Sequence, residues 1–207
     1  MNEKRLIQVA KIFSALFSPF YAPLWAFAGL FIFSYLRLLP SGYKLLILLM
    51  VYCFTVFIPR ISINLFRKLN KWTHWQLSHR RNRHTPYVLT LVSYTACLVL
   101  MTNMNTAMFI RGIVMAALMA QILCVIINRW WKISTHMVGA GGLTGSIIAF
   151  SYLFYFNPIW PLCGLLLLSG AIGTSRIVLR QHSLAQVLVG FAVGFVCAMF
   201  FILISWM

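Results

Sequence analysis

Residues 183–206 read SLAQVLVGFAVGFVCAMFFILISW and contain no charged side chain. A helix needs about 20 predominantly apolar residues to cross the hydrocarbon core of a bilayer, so this stretch predicts a transmembrane helix. Six further apolar segments approach the same length and are separated by turn residues or basic stretches. The seven predicted spans cover residues 17–36, 43–59, 87–102, 107–127, 137–156, 159–174 and 183–206.

These spans predict an all-α fold, a polytopic membrane helical bundle of six to seven transmembrane helices in a single domain over residues 1–207. The segment 60–70 adds an interfacial amphipathic helix, because its apolar residues recur at helical spacing between basic ones. The small residues at 139–142, and Gly190 and Gly194 in the last span, predict close approach of membrane helices.

The charge balance excludes several classes of protein. The chain has 17 Lys and Arg residues against a single acid, Glu3, while 62% of it is hydrophobic and 9% is charged. Soluble domains have about a quarter of their residues charged, so a soluble nucleic-acid-binding module is not expected. Two-carboxylate glycosidases, carboxylate-held Mg or Ca sites and Ser-His-Asp triads all need acids that are missing here. The five dispersed cysteines indicate neither a disulfide framework nor a zinc site.

The three longer polar joints follow the second, fourth and sixth spans, so all three share one membrane face with the N-terminus. We call this the basic face. Its excess of positive charge predicts a cytoplasmic location, contact with anionic headgroups or a phosphate site, and counting charges does not choose among them. Fourteen of the 17 basic residues fall there: Lys4, Arg5, Lys11, Arg60, Arg67, Lys68, Lys71, Arg80, Arg81, Arg83, Arg129, Lys132, Arg176 and Arg180.

The third joint carries the strongest candidate chemistry. His182 lies at the start of the last helix, where the helix N-terminus and nearby arginines disfavour the imidazolium form. A neutral His182 has a nucleophilic nitrogen, and Gln186, one turn further on the same helix face, can accept a hydrogen bond from the other ring nitrogen. Arg176 offers planar donors for phosphate oxygens. All five histidines lie in the joints of the basic face: His74, His79, His84, His136 and His182.

The other two joints add polar groups of the same kind. In the second, Ser134 supplies a hydroxyl and His136 a possible proton donor at a helix N-terminus, which favours anions, with Lys132 two residues before Ser134. In the first, Arg80 and Arg83 precede Pro86 and are interpreted as phosphate clamps. The histidines of the first joint recur every five residues, which does not match a helical metal-ligand pair, so no metal site is predicted.

The order of these residues resembles the three-part signature of the type 2 phosphatidic acid phosphatase (PAP2) superfamily, over about residues 71–194. In the third part, Ser175-Arg176 and His182 match the spacing of the family. The second part matches partly, since Ser134-Thr135-His136 stands where the family has Pro-Ser-Gly-His. The first part lacks the Lys that precedes the family's Arg, so Arg80 and Arg83 replace that pair. The family's relay aspartate falls at Gln186.

The resemblance implies a bacterial membrane lipid phosphatase that uses neither a metal nor a cofactor. His182 would be the nucleophile of a phosphohistidine mechanism, oriented by Gln186, and His136 would protonate the leaving group. Its partners would be a phosphorylated lipid substrate and a bilayer with anionic lipids, with no nucleic acid and no obligate protein partner. The family implies a site on the periplasmic side of the inner membrane, whereas charge counting favours the cytoplasm. The residues expected to bind phosphate are Arg176, Ser134, Arg83, Arg80 and Lys132.

Two alternatives come from other functional classes. The divergent first signature and Gln186 fit a catalytically silent membrane protein that binds anionic lipids. A small transporter or flippase could use the same basic face to admit a phosphorylated lipid. Among substrates, phosphatidic acid, phosphatidylglycerol phosphate, polyprenyl diphosphate and a phosphorylated glycolipid all remain open.

Overall fold

The computed structural model describes residues 3–71 and 84–207. Within these ranges the chain forms α-helices, joined by short 3-10 and π segments, and no β-strand. The predicted all-α class is therefore confirmed. The helices are α1 (Glu3–Leu16), α2 (Ala22–Phe33), α3 (Ser41–Tyr52), α4 (Ile58–Leu69), α5 (His84–Asn103), α6 (Met108–Trp130), α7 (Thr135–Phe154), α8 (Ile159–Val178) and α9 (Leu184–Ile204).

Seven helical stretches in the described residues are long and apolar enough to cross a membrane. They match the seven predicted segments, with differences at the ends, and the protein is an integral membrane protein. The stretches are Ile7–Phe33, Ser41–Leu69, Pro86–Asn103, Met108–Trp130, Thr135–Phe154, Ile159–Val178 and Leu184–Ile204.

The first two spans are longer than the sequence predicts. The first begins within α1, at Ile7, and α1 is joined to α2 through the 3-10 turn Pro19–Tyr21. In the second, α3 continues into α4 through the π segment Cys53–Phe57, which directly precedes Ile58 and Pro59. A π turn accommodates the missing N–H of a proline without ending the helix. The predicted amphipathic segment is therefore helical and continues the second span, which extends about 43 Å at 1.5 Å per residue.

Helices α7 and α9 pack closely and run parallel. A Cβ on Gly190 would lie 2.7 Å from the carbonyl oxygen of Ser134, and one on Gly145 would lie 2.6 Å from that of Phe195. Residue numbers increase in the same direction along the two helices, from the pair Ser134 and Gly190 to the pair Gly145 and Phe195. The helices are therefore parallel and both begin at the basic face, as the count of seven spans requires. Glycine is needed because any side chain would collide with the backbone of the partner helix. The predicted close approach of small residues is confirmed.

An apolar cluster near the basic face fixes α1 against the helices that carry the candidate residues. Phe13 of α1 and Phe17, the residue that follows α1, pack on Met137, Ile172 and Val187, which belong to α7, α8 and α9. Because Ser14 lies between these two aromatic residues in the sequence, the packing places its polar groups at the ends of α7 and α8.

Candidate functional site

In the joint between α8 and α9, Arg180 has a left-handed backbone conformation, with a φ of 51°. The N–H of Arg180 donates to the carbonyl of Ile177 at 2.8 Å, and the N–H of Gln181 donates to that of Arg176 at 3.1 Å. This is the paired hydrogen bonding of a Schellman motif. The turn brings the Gln181 side chain back to Arg176, whose Nη2 donates to Gln181 Oε1. Arg176 is therefore held by the joint that leads directly to His182.

His182 and Gln186 form the predicted hydrogen bond, with 3.1 Å between Nδ1 and Oε1. The same oxygen accepts from the N–H of Ser183 at 3.2 Å, while Ser183 Oγ accepts from the N–H of Gln186 at 3.4 Å. An amide oxygen only accepts, so Nδ1 of His182 carries the proton. In the neutral ring the lone pair then lies on Nε2. His182 is buried, with 7% of its surface exposed.

The reciprocal bonds between Ser183 and Gln186 are a capping box at the start of α9. Sequence reasoning missed this second role of Gln186, although the Ser-x-x-Gln spacing was a readable signal for it. Gln186 therefore caps the N-terminus of the last helix and also orients His182, which lies next to that N-terminus.

Ser14 links the second and third joints, and the sequence interpretation did not include it. Its Oγ accepts from Arg176 Nη1 at 2.6 Å, and the same oxygen lies 3.4 Å from His136 Nε2. Both Ser14 and Arg176 are buried, with 6% and 7% exposed. The structure thus brings Arg176 and His136 to a common oxygen. The signal in the sequence was weak, since Ser14 and Ser18 are two serines in an otherwise apolar segment and nothing distinguishes Ser14.

The proton on His136 is assigned by its other contact. Nε2 lies 3.1 Å from the backbone carbonyl oxygen of Ser14, and a carbonyl only accepts, so Nε2 carries a hydrogen. The candidate proton donor therefore has its proton directed at α1. A leaving group would take that proton in place of the Ser14 carbonyl.

Ser134 is the residue that precedes α7, and it is fully buried. Its carbonyl accepts from the N–H groups of Met137 and Val138 at 3.1 and 3.0 Å. Its Oγ has no hydrogen-bond partner among the residues that the structure describes. A buried hydroxyl in this state has a donor available for an anion.

The remaining candidates are Lys132, Arg80 and Arg83. Lys132 is half-buried in the short connection between α6 and α7, two residues before Ser134. Arg80 and Arg83 lie outside the described residues. The structure therefore brings together Arg176 with His136, and His182 with Gln186, at neighbouring helix ends on the basic face.

A cavity of about 660 Å³ opens beside His136, and sequence reasoning did not predict it. It lies between α2, α4, α5, α6, α7 and α9, and most of the residues that line it are apolar. Arg60 and Arg67 of α4 also line it, and both lie in the half of the second span that ends at the basic face. Because the lining comes from six separate helices, no local sequence pattern reveals it.

Within residues 3–71 and 84–207, no three His, Cys, Asp or Glu residues group closely enough to hold a metal ion. Comparison of the chain with protein-family models, with curated proteins and with solved structures found no match.

Proposed function

We propose that the protein is a membrane phosphatase that hydrolyses a lipid phosphate or diphosphate, without a metal, through a phosphohistidine on His182. The observation that carries this proposal is the hydrogen bond from His182 Nδ1 to Gln186 Oε1. It leaves Nε2 as the nitrogen with the lone pair, which is the form that a nucleophilic histidine requires. The resemblance of the three joints to the phosphatidic acid phosphatase superfamily supports the same assignment.

In the first step, the lone pair of His182 Nε2 forms a bond to phosphorus while the bond from phosphorus to the lipid oxygen breaks. His136, in its imidazolium form, donates one proton to the departing oxygen and becomes neutral. The products of this step are the lipid alcohol, or a lipid monophosphate from a diphosphate, and phosphohistidine. General acid catalysis of this kind contributes about 10²- to 10⁴-fold.

In the second step, water attacks the phosphorus of phosphohistidine and the bond from phosphorus to Nε2 breaks. Neutral His136 takes one proton from the water and returns to its imidazolium form. Inorganic phosphate leaves, and His182 regains the neutral form with its proton on Nδ1. Protons and charge balance over the cycle without an added cofactor.

Positive charge and oriented donors supply the remaining catalysis, because phosphoryl transfer depends mainly on positioning and electrostatics. Arg176 presents a guanidinium whose Nη1 and Nη2 now bind Ser14 Oγ and Gln181 Oε1. Both acceptors are neutral oxygens, so a phosphate dianion would form stronger, charge-assisted hydrogen bonds with the same donors. The buried hydroxyl of Ser134, the clamps Arg80 and Arg83, and Lys132 would bind further phosphate oxygens.

A second candidate, a catalytically silent protein that binds anionic lipids, is favoured by one observation. Gln186 is already used in the capping box of α9, and a neutral amide adds no negative charge to support the histidine. In such a protein His182 and Gln186 would have only a structural role. This candidate predicts lipid binding without phosphate release.

The proposal is tested by phosphate release from a panel of lipid phosphates with purified protein, in the presence and absence of EDTA. We expect vanadate-sensitive release that EDTA leaves unchanged, and no release by His182→Ala. Arg176→Lys should reduce kcat/KM, because Lys lacks the planar pair of donors, whereas Arg37→Lys on the opposite face should not. Activity that EDTA removes and Mg restores would contradict the mechanism, and no release from any lipid would favour the silent binder.

The side of the membrane on which the site faces needs its own experiment. We propose a bacterial inner-membrane protein whose site faces the periplasm, as the family resemblance implies. With seven spans, Trp206 then lies on the cytoplasmic side. A reporter that is fluorescent only in the cytoplasm, fused after residue 206, should be fluorescent. A dark fusion that is active as a periplasmic reporter would place the site in the cytoplasm, as charge counting favours.

A further inference from the structure

The cavity beside His136 is separate from the Arg176 and His182 cluster, since of the described candidate residues only His136 lines it. Its length follows from α6, whose lining residues begin at Ile113 and end at Cys124. Eleven helical steps span about 16 Å. The hydrocarbon core of a bilayer is about 30 Å thick, so the cavity reaches to roughly the depth of one leaflet.

Small side chains form much of the cavity wall on α6 and α7. The residues that α6 contributes recur at the spacing of one helix face and include Ala116, Ala117 and Ala120. Across from them, α7 contributes Gly139 and Gly142. The volume of about 660 Å³ is within the range of pockets that hold small molecules. An elongated, mostly apolar space of this depth fits a hydrocarbon chain.

The basic-face end of the cavity differs from its walls. Arg60, Ile63, Asn64 and Arg67 line it from α4, and their spacing places them on one face of that helix. The guanidinium of Arg60 lies over the ring of Tyr21, with 5.0 Å from Cζ to the ring centroid, which orients it beside the α2 side of the cavity. Two arginines where an apolar cavity meets the membrane surface are complementary to a negatively charged headgroup.

We propose that this cavity binds one hydrocarbon chain of an anionic lipid from the leaflet of the basic face, with the headgroup held by Arg60 and Arg67. The charge at one end and the apolar depth below it match the two parts of such a molecule. Binding requires no chemistry at His182, so this site exists whether or not the proposed phosphatase activity does. Its position beside His136 brings the headgroup of the bound lipid next to the candidate phosphate site.

The test measures retention of labelled dioleoyl phosphatidic acid, compared with dioleoyl phosphatidylcholine, by the purified full-length protein in a neutral detergent. We use His182→Ala as the parent for all variants, so that turnover does not consume the probe. The parent should bind phosphatidic acid as tightly as the wild-type protein treated with vanadate, and in preference to phosphatidylcholine. Equal retention of the two lipids would overturn the assignment of the headgroup site.

Ala117→Phe fills the middle of the cavity and should raise the Kd for phosphatidic acid at least about tenfold. Its matched control is Ala171→Phe, which places the same ring on an exposed position of α8 and should leave the Kd unchanged. A folded Ala117→Phe protein that binds as the parent does would contradict the chain site. Thermal unfolding in detergent shows whether the variant is folded.

The arginines provide a second test that does not alter the packing of the cavity walls. Arg60→Gln and Arg67→Gln together should weaken retention of phosphatidic acid by about 30-fold, as two lost interactions with a charged headgroup predict. They should leave retention of phosphatidylcholine unchanged. Arg37→Gln, on the opposite face, is the control. An unchanged preference for phosphatidic acid in the double variant would overturn the proposal even if Ala117→Phe does not fold.

Discussion

The hydroxyl of Ser14 accepts a hydrogen bond from the guanidinium of Arg176 at 2.6 Å, although 162 residues separate them in the chain. Nε2 of His136 contacts both the hydroxyl and the carbonyl oxygen of Ser14. The first helix is therefore part of the candidate site and not only a membrane anchor.

Replacing Ser14 with Ala should destabilise the protein by about 1–3 kcal/mol, because a buried guanidinium loses a charge-assisted acceptor. Thermal unfolding in detergent measures the change. Ser169→Ala is the matched control, since Ser169 is equally buried but donates only to the carbonyl of Leu165 in its own helix. An equal loss of stability in the two variants would show that the contact with Arg176 has no special importance.

Gln186 should affect both stability and turnover. Gln186→Leu removes the acceptor for His182 Nδ1 and for the N–H of Ser183, so it should cost about 1 kcal/mol of stability. It should also lower kcat by about 10- to 100-fold, the range seen when a metal-bound histidine loses its orienting hydrogen bond.

Gln186→Glu keeps an acceptor for both donors and adds a negative charge beside the histidine ring, which becomes more positive in phosphohistidine. Its kcat for phosphate release should equal or exceed that of the wild-type protein. Kinetics of the two Gln186 variants, measured alongside their unfolding temperatures, separate the orienting role from the capping role. Wild-type turnover in a stable Gln186→Leu protein would remove Gln186 from the mechanism.

The packing of α7 on α9 should be sensitive to a single methyl group. Gly194→Ala places a Cβ against the carbonyl of Val138 and should lower stability by about 1–3 kcal/mol, because overpacking forces the backbones apart. Gly164→Ala has no atom within 4 Å of the added Cβ and should have little effect or a small stabilising one. Comparing the unfolding temperatures of the Gly194→Ala and Gly164→Ala proteins tests this prediction. Indistinguishable temperatures would argue against the packing of α7 on α9.

Arg180 has a backbone conformation that suits glycine. Its φ of 51° lies in the left-handed region, which costs an L-residue about 1–2 kcal/mol. Arg180→Gly should therefore be more stable than Arg180→Ala by about 1 kcal/mol, while both variants lose the same charge. A direct comparison of their unfolding temperatures isolates the backbone effect, and a less stable glycine variant would contradict the left-handed turn.

The spans were predictable because apolar length determines membrane crossing directly, and the glycines of α7 and α9 indicated close packing in the same way. The bond between His182 and Gln186 was predictable for a similar reason, since four residues separate neighbours on one helix face. These features depend on spacing within one segment.

Ser14 and the cavity could not be read from the sequence, because both depend on how distant helices pack. The contact of Ser14 with Arg176 requires α1 to lie across the ends of α7 and α8, which the aromatic packing of Phe13 and Phe17 determines. The cavity requires small residues on α6 to face those on α7. Likewise, α3 continues into α4 through a π segment. The presence of Pro59 in the sequence predicts a helix end there, not this continuation.

The central claim is that His182 Nε2 becomes phosphorylated during turnover. Rapid-quench experiments with a lipid labelled with ³²P in its phosphate test this most directly. We expect an acid-labile, alkali-stable label that maps to the peptide containing His182, forms within the first turnover and is absent from His182→Ala. Steady release of labelled phosphate with no label on the protein at any time, or a label on another residue, would contradict the claim.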